Sequence, residues 1–308
     1  MIQFFEKRNM KNALLKLLLV VLMTNTASAQ EWMKNLEIAQ ALAKVQNKMV
    51  LMVWEETTSY QYPVIVKDDK GRTIIINNLF EDEAISPLIW QHFVPVIVSE
   101  DRYADLYEKI KDKRNQKYID KFNDDSIKIM DINGNILNVD YLTEDLQDIT
   151  TIIQRYALKT TFIAQELQDY KQDKNFYSAY FLASKYLDLG MYVNKDVRAN
   201  IVELSNIYLE EAKRFVAQED QSEQKGLLQR CDLLELQEEL LLKRPKKVIR
   251  LLKKLKEEEV VESNKPFIAF LYYTAYMSND KPEDAEQWKS QISSVNLKKA
   301  QLIINLNK

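Results

Sequence analysis

The hydrophobic period of the chain changes once, near Thr143, and no other feature constrains its fold as strongly. From Trp32 to about Val139, apolar runs of strand length alternate with helical patterns. After Thr143 the strand signals vanish, and apolar residues step by threes and fours. A helix-period pattern does not settle as a strand, nor the reverse. Two fold classes are therefore predicted in series: an α/β domain over 30–142, then an all-α domain over 143–308. A chain of 308 residues is also long enough for single cores to stop growing and split.

A third pattern precedes both. Lys7, Arg8 and Lys11 are basic, Ala13 to Met23 is apolar apart from Lys16, and Ala27-Ser28-Ala29 stands before Gln30. In that order they predict a secretory signal peptide over 1–29 with an A-x-A cleavage site. The competing reading, a membrane anchor, needs about 20 apolar residues, and this run has roughly half of that. No Cys follows it to carry a lipid. The expectation is an exported protein, periplasmic in the first reading and secreted in the second, with no stable membrane anchor in the mature chain.

Composition excludes several classes of function. A formal net charge of −3 gives no global attraction to nucleic acid or anionic membrane. The single cysteine, Cys231, permits no disulfide framework. The single histidine, His92, excludes any site needing two imidazoles. No cofactor, metal ligand or catalytic residue is predicted.

In the first part, Leu36, Ala39, Leu42 and Ala43 recur at helical spacing, and Met49 to Trp54 reads as a buried strand. Pro63 to Val66 and Arg72 to Ile76 flank Lys67-Asp68-Asp69-Lys70-Gly71, a predicted hairpin. Asn78 with Glu81 resembles a capping box opening a helix to about His92. Val94 to Val98 is a strand, and a long polar helix is expected from Arg102 to Phe122. Ile127 to Met130 and Ile136 to Val139 are expected strands, joined by a turn at Asp131-Ile132-Asn133-Gly134. In this order, "EWMKNLEIAQALAKVQNKMVLMVW", "HFVPVIVSED" and "SIKIMDINGNIL" resemble the thioredoxin-like superfamily. The resemblance implies a Cys-x-x-Cys motif after the first buried strand and a cis-proline before the penultimate one. Here the first position reads Trp54-Glu55-Glu56-Thr57-Thr58-Ser59 and the second Asn123-Asp124-Asp125-Ser126. Thiol exchange needs a thiolate at a helix N-terminus, and no thiol is present there. The expectation is a redox-inactive, non-enzymatic domain.

In the second part, one long helix is predicted through Leu146, Ile153, Leu167 and Tyr170, and another through Phe176 to Leu187, ended by Gly190. Stripes through Val197 to Phe215 and Leu227 to Leu241 follow. Pro245, Pro266 and Pro282 each stand at a predicted first turn, and Asn296 is expected to cap the last of eight helices. The stretch "AFLYYTAYMSNDKPEDAEQW" is similar to a tetratricopeptide (TPR) unit, which implies a helical-hairpin array; an irregular bundle is the alternative.

The hairpin, about residues 60–76, is an insertion where the superfamily keeps its active site. Tyr60, Tyr62, Ile74, Ile75 and Ile76 make it aromatic and β-rich, and these five are the candidate partner-binding residues. The alternative is a hairpin that only extends the sheet or covers the helical domain. Cys231 is expected to be a buried structural residue, His92 a helix-end residue, and the basic run Lys243 to Lys256 a solvated helix face. The sequence thus predicts a non-catalytic interaction or scaffold protein with protein partners in the cell envelope. The alternative is a thioredoxin-family thiol-disulfide or chaperone-type protein whose activity is not recognisable.

Overall fold

The computed structural model of the protein describes residues 31–139 and 146–308. The predicted signal peptide and the boundary between residues 142 and 143 lie outside these residues. The chain is mixed α/β, with two small sheets and many helices.

Helix α1 (Leu36–Gln46) begins where Asn35 Oδ1 accepts from the Ile38 N–H at 2.8 Å. It ends at Asn47, which turns left-handed at φ 53°. Strand β1 (Met49–Trp54) follows, with all six residues buried. Burial on both faces is what makes its sequence a continuous apolar run rather than an alternation. Next come β2 (Val64–Lys67) and β3 (Thr73–Ile76), which form the expected antiparallel hairpin. Helix α2 (Ile85–His92) leads into β4 (Phe93–Val98). After two further helices, β5 (Lys128–Met130) completes the first sheet in the order β4-β1-β5. Strands β1 and β4 are parallel, and β5 is antiparallel to β1.

Several expectations need correction. Helix α2 starts at Ile85, not at Asn78. Asn78 Oδ1 accepts from the Phe80 N–H at 3.3 Å, and Asp82 Oδ1 from the N–H groups of Ala84 and Ile85 at 2.9 and 3.1 Å. Such side-chain turns compete with helix, and Pro87 is tolerated only in a first turn. The helix predicted from Arg102 to Phe122 is two, α3 (Tyr103–Glu108) and α4 (Gln116–Asn123). Tight turns over 109–114 separate them, and Asn115 caps the second through the Tyr118 N–H at 2.9 Å. The expected strand Ile136 to Val139 is reduced to one bridge, Met130 to Ile136. The Asn138 side chain completes the pairing instead, accepting from the Ile129 N–H at 2.7 Å and donating to the Ile127 carbonyl at 2.9 Å.

The long helix predicted through Leu146 to Tyr170 is also broken. Strand β6 (Gln147–Asp148) lies parallel to β2, giving a second sheet ordered β3-β2-β6 where no strand was expected. Helix α5 (Ile149–Tyr156) follows, capped by Asp148. The chain then crosses back, with the Thr160 N–H bonded to the Asn47 carbonyl at 3.1 Å, before α6 (Ala164–Gln172).

The remaining helices are α7 (Phe176–Gly190), α8 (Lys195–Phe215), α9 (Gln221–Leu241), α10 (Pro245–Leu252), α11 (Lys265–Ser278), α12 (Pro282–Lys289) and α13 (Ser294–Asn307). Nine α-helices therefore follow residue 146 among the described residues, where eight were expected. The three prolines stand in first turns as predicted. Ser293, not Asn296, caps α13: its Oγ accepts from the Asn296 N–H at 3.3 Å. Gly190 ends α7 without a left-handed turn; a Cβ there would meet Leu241 Cδ2 at 3.2 Å and Ile201 Cγ2 at 3.4 Å, so a larger residue would have to displace those side chains slightly.

The apolar core does not divide where the hydrophobic period changes. One cluster runs from Trp32 to Leu241, and a second from Leu233 to Ile304. Helix α9 feeds both, through Cys231 and Leu234 on one face and Leu233 and Leu240 on the other.

A buried polar joint accompanies the continuous core. The Asp131 to Gly134 turn forms as predicted, with Gly134 at φ 85°, and its side chains point into the helices. Asp131 is fully buried and accepts from the Asn133 and Asn135 N–H groups at 2.9 and 3.0 Å. Its Oδ2 also accepts from the Tyr186 hydroxyl of α7 at 3.2 Å and from the Tyr208 hydroxyl of α8. Tyr208 in turn accepts from the Asn133 and Asn135 carboxamides, each at 3.0 Å. Beside it, Arg114 Nη2 donates to Asn135 Oδ1 at 3.0 Å, and Glu211 accepts from Tyr170. Burial raises the Asp131 pKa against the hydrogen bonds, which favour the charged form. Asp131→Ala would leave the hydroxyls and amides around it without an acceptor. It is expected to destabilise by about 3 kcal/mol or more in urea unfolding. Tyr186→Phe removes one donor and is expected to cost about 1 kcal/mol. An Asp131→Ala loss below that of Tyr186→Phe would refute the joint.

Candidate functional site

The end of β1 and the segment over 123–126 come together in space, as the sequence order requires for a site between them. The structure closes this place with internal bonds. Trp54 is buried and donates from Nε1 to the Phe122 carbonyl at 2.9 Å. The chain after it makes a 3-10 turn, Glu56–Ser59. Within that turn, Thr57 is fully buried and donates from Oγ1 to the Asp125 carbonyl at 3.3 Å. Glu55 and Glu56 are both exposed.

Lys128 of β5, which the sequence reading missed, is fully buried beside this junction. Its Nζ donates to the Asp124 and Ser126 carbonyls, the latter at 2.9 Å, and lies 3.4 Å from Asp124 Oδ1. Burial lowers its pKa to about 8. Three oxygens engage the ammonium protons, so Lys128 braces the loop rather than offering a free amine. Lys121 Nζ reinforces the same loop through Ser126 Oγ at 2.7 Å. A Lys between two isoleucines in "SIKIM" was the available signal, since a charge on an apolar strand needs partners.

The five hairpin residues do not form one cluster. The Tyr60 hydroxyl donates to Asp125 Oδ2 at 3.0 Å, and its ring is partly exposed. Tyr62 is half-buried, with its ring centroid 5.8 Å from Phe80, and burial raises its pKa. Both therefore anchor the base of the hairpin. Ile76 is half-buried against the core. Ile74 and Ile75 are exposed, at 46% and 62%.

Strand β2 holds the hairpin to the body. Val64 is fully buried, β6 pairs on its far side, and Lys67 Nζ lies 3.1 Å from Asp148 Oδ2. Strand β3 is the outer strand of this sheet. Antiparallel pairs alternate between hydrogen-bonded and non-bonded. The Asp68 N–H bonds the Arg72 carbonyl at 3.0 Å, so the bonded pairs continue as Val66 with Ile74 and Val64 with Ile76. The Lys67 N–H accordingly points away from β3, to Thr150 Oγ1 at 2.8 Å. On β3, Thr73 and Ile75 direct their backbone groups outward. The arrangement is an apolar edge with two residues ready to accept another strand.

The other titratable candidates sit inside helices. Cys231 is fully buried and free, and burial pushes its thiol up to about 12. Glu238 of α9 is buried, and the same cause raises it to about 8; Asn206 bonds it and Lys213 lies near, both acting in the opposite sense. His92 ends α2, as expected. In the basic run, Val248 and Leu252 pack inward, while Arg244 and Lys247 pair with Glu239. Among the described residues, no group of three or more His, Cys, Asp or Glu is placed to hold a metal ion, and no helix is long and apolar enough to cross a membrane.

Two outcomes follow from this geometry. Ile75→Pro removes only an outward N–H and should melt within about 1 kcal/mol of the unmodified chain, because edge strands tolerate proline. Ile74→Pro breaks a β2 bond and should cost about 3 kcal/mol. Equal losses would refute the assigned register. The second outcome concerns Glu238. An unfolded glutamate ionises near 4.5, whereas the folded group stays protonated to about 8. The unfolded chain therefore loses a proton first, and stability falls as pH rises between those values. Glu238→Gln should match the unmodified chain near pH 4 and exceed it by a few kcal/mol at about pH 8.5. A difference that does not vary with pH would contradict this.

Set against known protein families, curated proteins and solved structures, the chain matches none.

Proposed function

We propose that the chain is a non-catalytic, exported interaction protein that joins a protein partner in the cell envelope by adding a strand at β3. One observation carries this reading. The β3 edge exposes Ile74 and Ile75 and leaves the backbone groups of Thr73 and Ile75 outward, while its other side is fixed to the body through β2. Backbone hydrogen bonds would supply affinity, and the isoleucines would supply apolar contacts on both faces.

In this reading the first part is a thioredoxin-like domain without the family's chemistry, and the second a TPR-like helical-hairpin array. A parallel strand pair followed by an antiparallel third strand supports the former. Successive helix pairs with prolines at their first turns support the latter. The alternative is a thiol-disulfide or chaperone-type protein, and the thiol-disulfide form of it would need a reactive thiol. A buried Cys231 held up near 12 is poorly suited to that task.

Two measurements test the proposal. The unmodified chain should retain an envelope protein in affinity purification from envelope fractions, and Ile75→Pro should lose it while folding normally. Retention by Ile75→Pro would move the interface elsewhere. Insulin reduction should stay at background, and Cys231→Ala should cost only about 1 kcal/mol of stability. Reductase activity that disappears with Cys231 would favour the alternative.

A further inference from the structure

A cavity of about 220 Å³ opens between α7, α9, α11 and α13, away from the hairpin. It is smaller than the roughly 300–1,000 Å³ clefts that take drug-sized ligands, so its occupant or the inserted end of it is small. Phe181, Phe267 and Phe270 form apolar walls. Phe181 is 54% exposed on α7, which is unusual for a large aromatic side chain.

The charged groups lining the cavity are of one sign. Arg230 and Lys299 line it, and no Asp or Glu does. Lys299 is neutralised from outside by Asp188, at 2.6 Å. Arg230 has no carboxylate partner among the described residues. Its Nη1 lies 3.3 Å from the Asn264 carboxamide oxygen, and its guanidinium is 5.8 Å from the centre of the Tyr180 ring. Gln237 also lines the cavity, is only 1% exposed, and has a buried Nε2 with no hydrogen-bond partner. A buried donor left unmet is costly, and native structures seldom keep one without a reason.

An uncompensated guanidinium, an unmet amide donor and aromatic walls ask for an acceptor carrying one negative charge on an apolar body. We infer that this cavity binds a small amphipathic carboxylate, either a free organic acid or the C-terminal residue of a peptide. Arg230 would take the carboxylate, for which its planar fork is suited, and Gln237 would donate to one of its oxygens. Phe181, Phe267 and Phe270 would cover the apolar part. This inference is independent of strand addition at β3 and would survive its failure.

The test uses the full chain, titrated calorimetrically with 3-phenylpropionate and with its uncharged amide. Saturable binding of the acid, on the order of tenfold tighter than the amide, is expected. Arg230→Gln should remove that preference without lowering the melting temperature by more than a few degrees. A tripeptide ending in phenylalanine, with a free or an amidated C-terminus, separates the two sources. Tighter binding of the free-ended peptide than of 3-phenylpropionate assigns a peptide end, and the reverse order assigns a free acid. If neither acid saturates, or if acid and amide bind equally, the inference is overturned. Those two outcomes are read on the unmodified chain and do not depend on how Arg230→Gln folds.

Discussion

Asp131 is the group on which the arrangement of the larger core depends. A carboxylate removed from water is tolerable only when its oxygens are satisfied, and donors from three parts of the chain do this. The turn supplies two backbone N–H groups, α7 supplies Tyr186 and α8 supplies Tyr208. Tyr208 then fixes Asn133 and Asn135, which themselves belong to the turn. The geometry is reciprocal: the helices hold the turn, and the turn holds the spacing of α7 and α8. An apolar interface could slide by a fraction of a helical turn, whereas this network cannot without breaking several bonds. The continuous core from Trp32 to Leu241 is packed around that fixed point.

The sequence made the elements legible where one force decided them. The β1 run is apolar because both of its faces are covered, the Asn133-Gly134 pair bends where expected, and first-turn prolines mark helix starts. It misled where a side chain competed with the backbone. Asn78 and Asp82 take N–H groups that a helix would need, and Asn115 caps a second helix inside a pattern that reads as one. Asn138 replaces strand backbone with its carboxamide. Strand β6 is two residues long and gains its place from pairing with β2, which no local pattern encodes. The same holds for Asp131. Its turn was visible, but its partners lie on helices far along the chain.

The candidate site was legible only in part. The absence of thiols after β1 can be read directly, and so can the position of the hairpin. Which hairpin residues serve as anchors and which face outward depends on neighbours. Tyr60 and Tyr62 share the aromatic character that marked them as candidates, yet Asp125 and Phe80 hold them at the base. Lys128 shows the converse. A charged residue in a strand reads as surface, but the carbonyls of the 124–126 loop make burial tolerable. Around the junction that would carry chemistry, Trp54, Thr57 and Lys128 each bond to the loop beside them.

That economy makes β3 the exception to be explained. Exposed strand edges are usually blunted by charge, proline or a bulge, because an apolar edge recruits other chains. Here the charges sit at the hairpin tip, on Asp68, Asp69, Lys70 and Arg72, and Arg72 is already paired with Asp68 at 2.7 Å. The run Thr73–Ile76 contains no charge and no proline, which is the composition of a segment prone to pair. Its inner neighbour β2 is anchored on both sides, so the edge cannot fold away without breaking the second sheet. An exposed apolar edge with outward backbone groups is the kind of edge that recruits an extended strand from another chain. If strand addition is its role, as proposed, the geometry of this edge favours a partner that contributes an extended segment over one that contributes a helix.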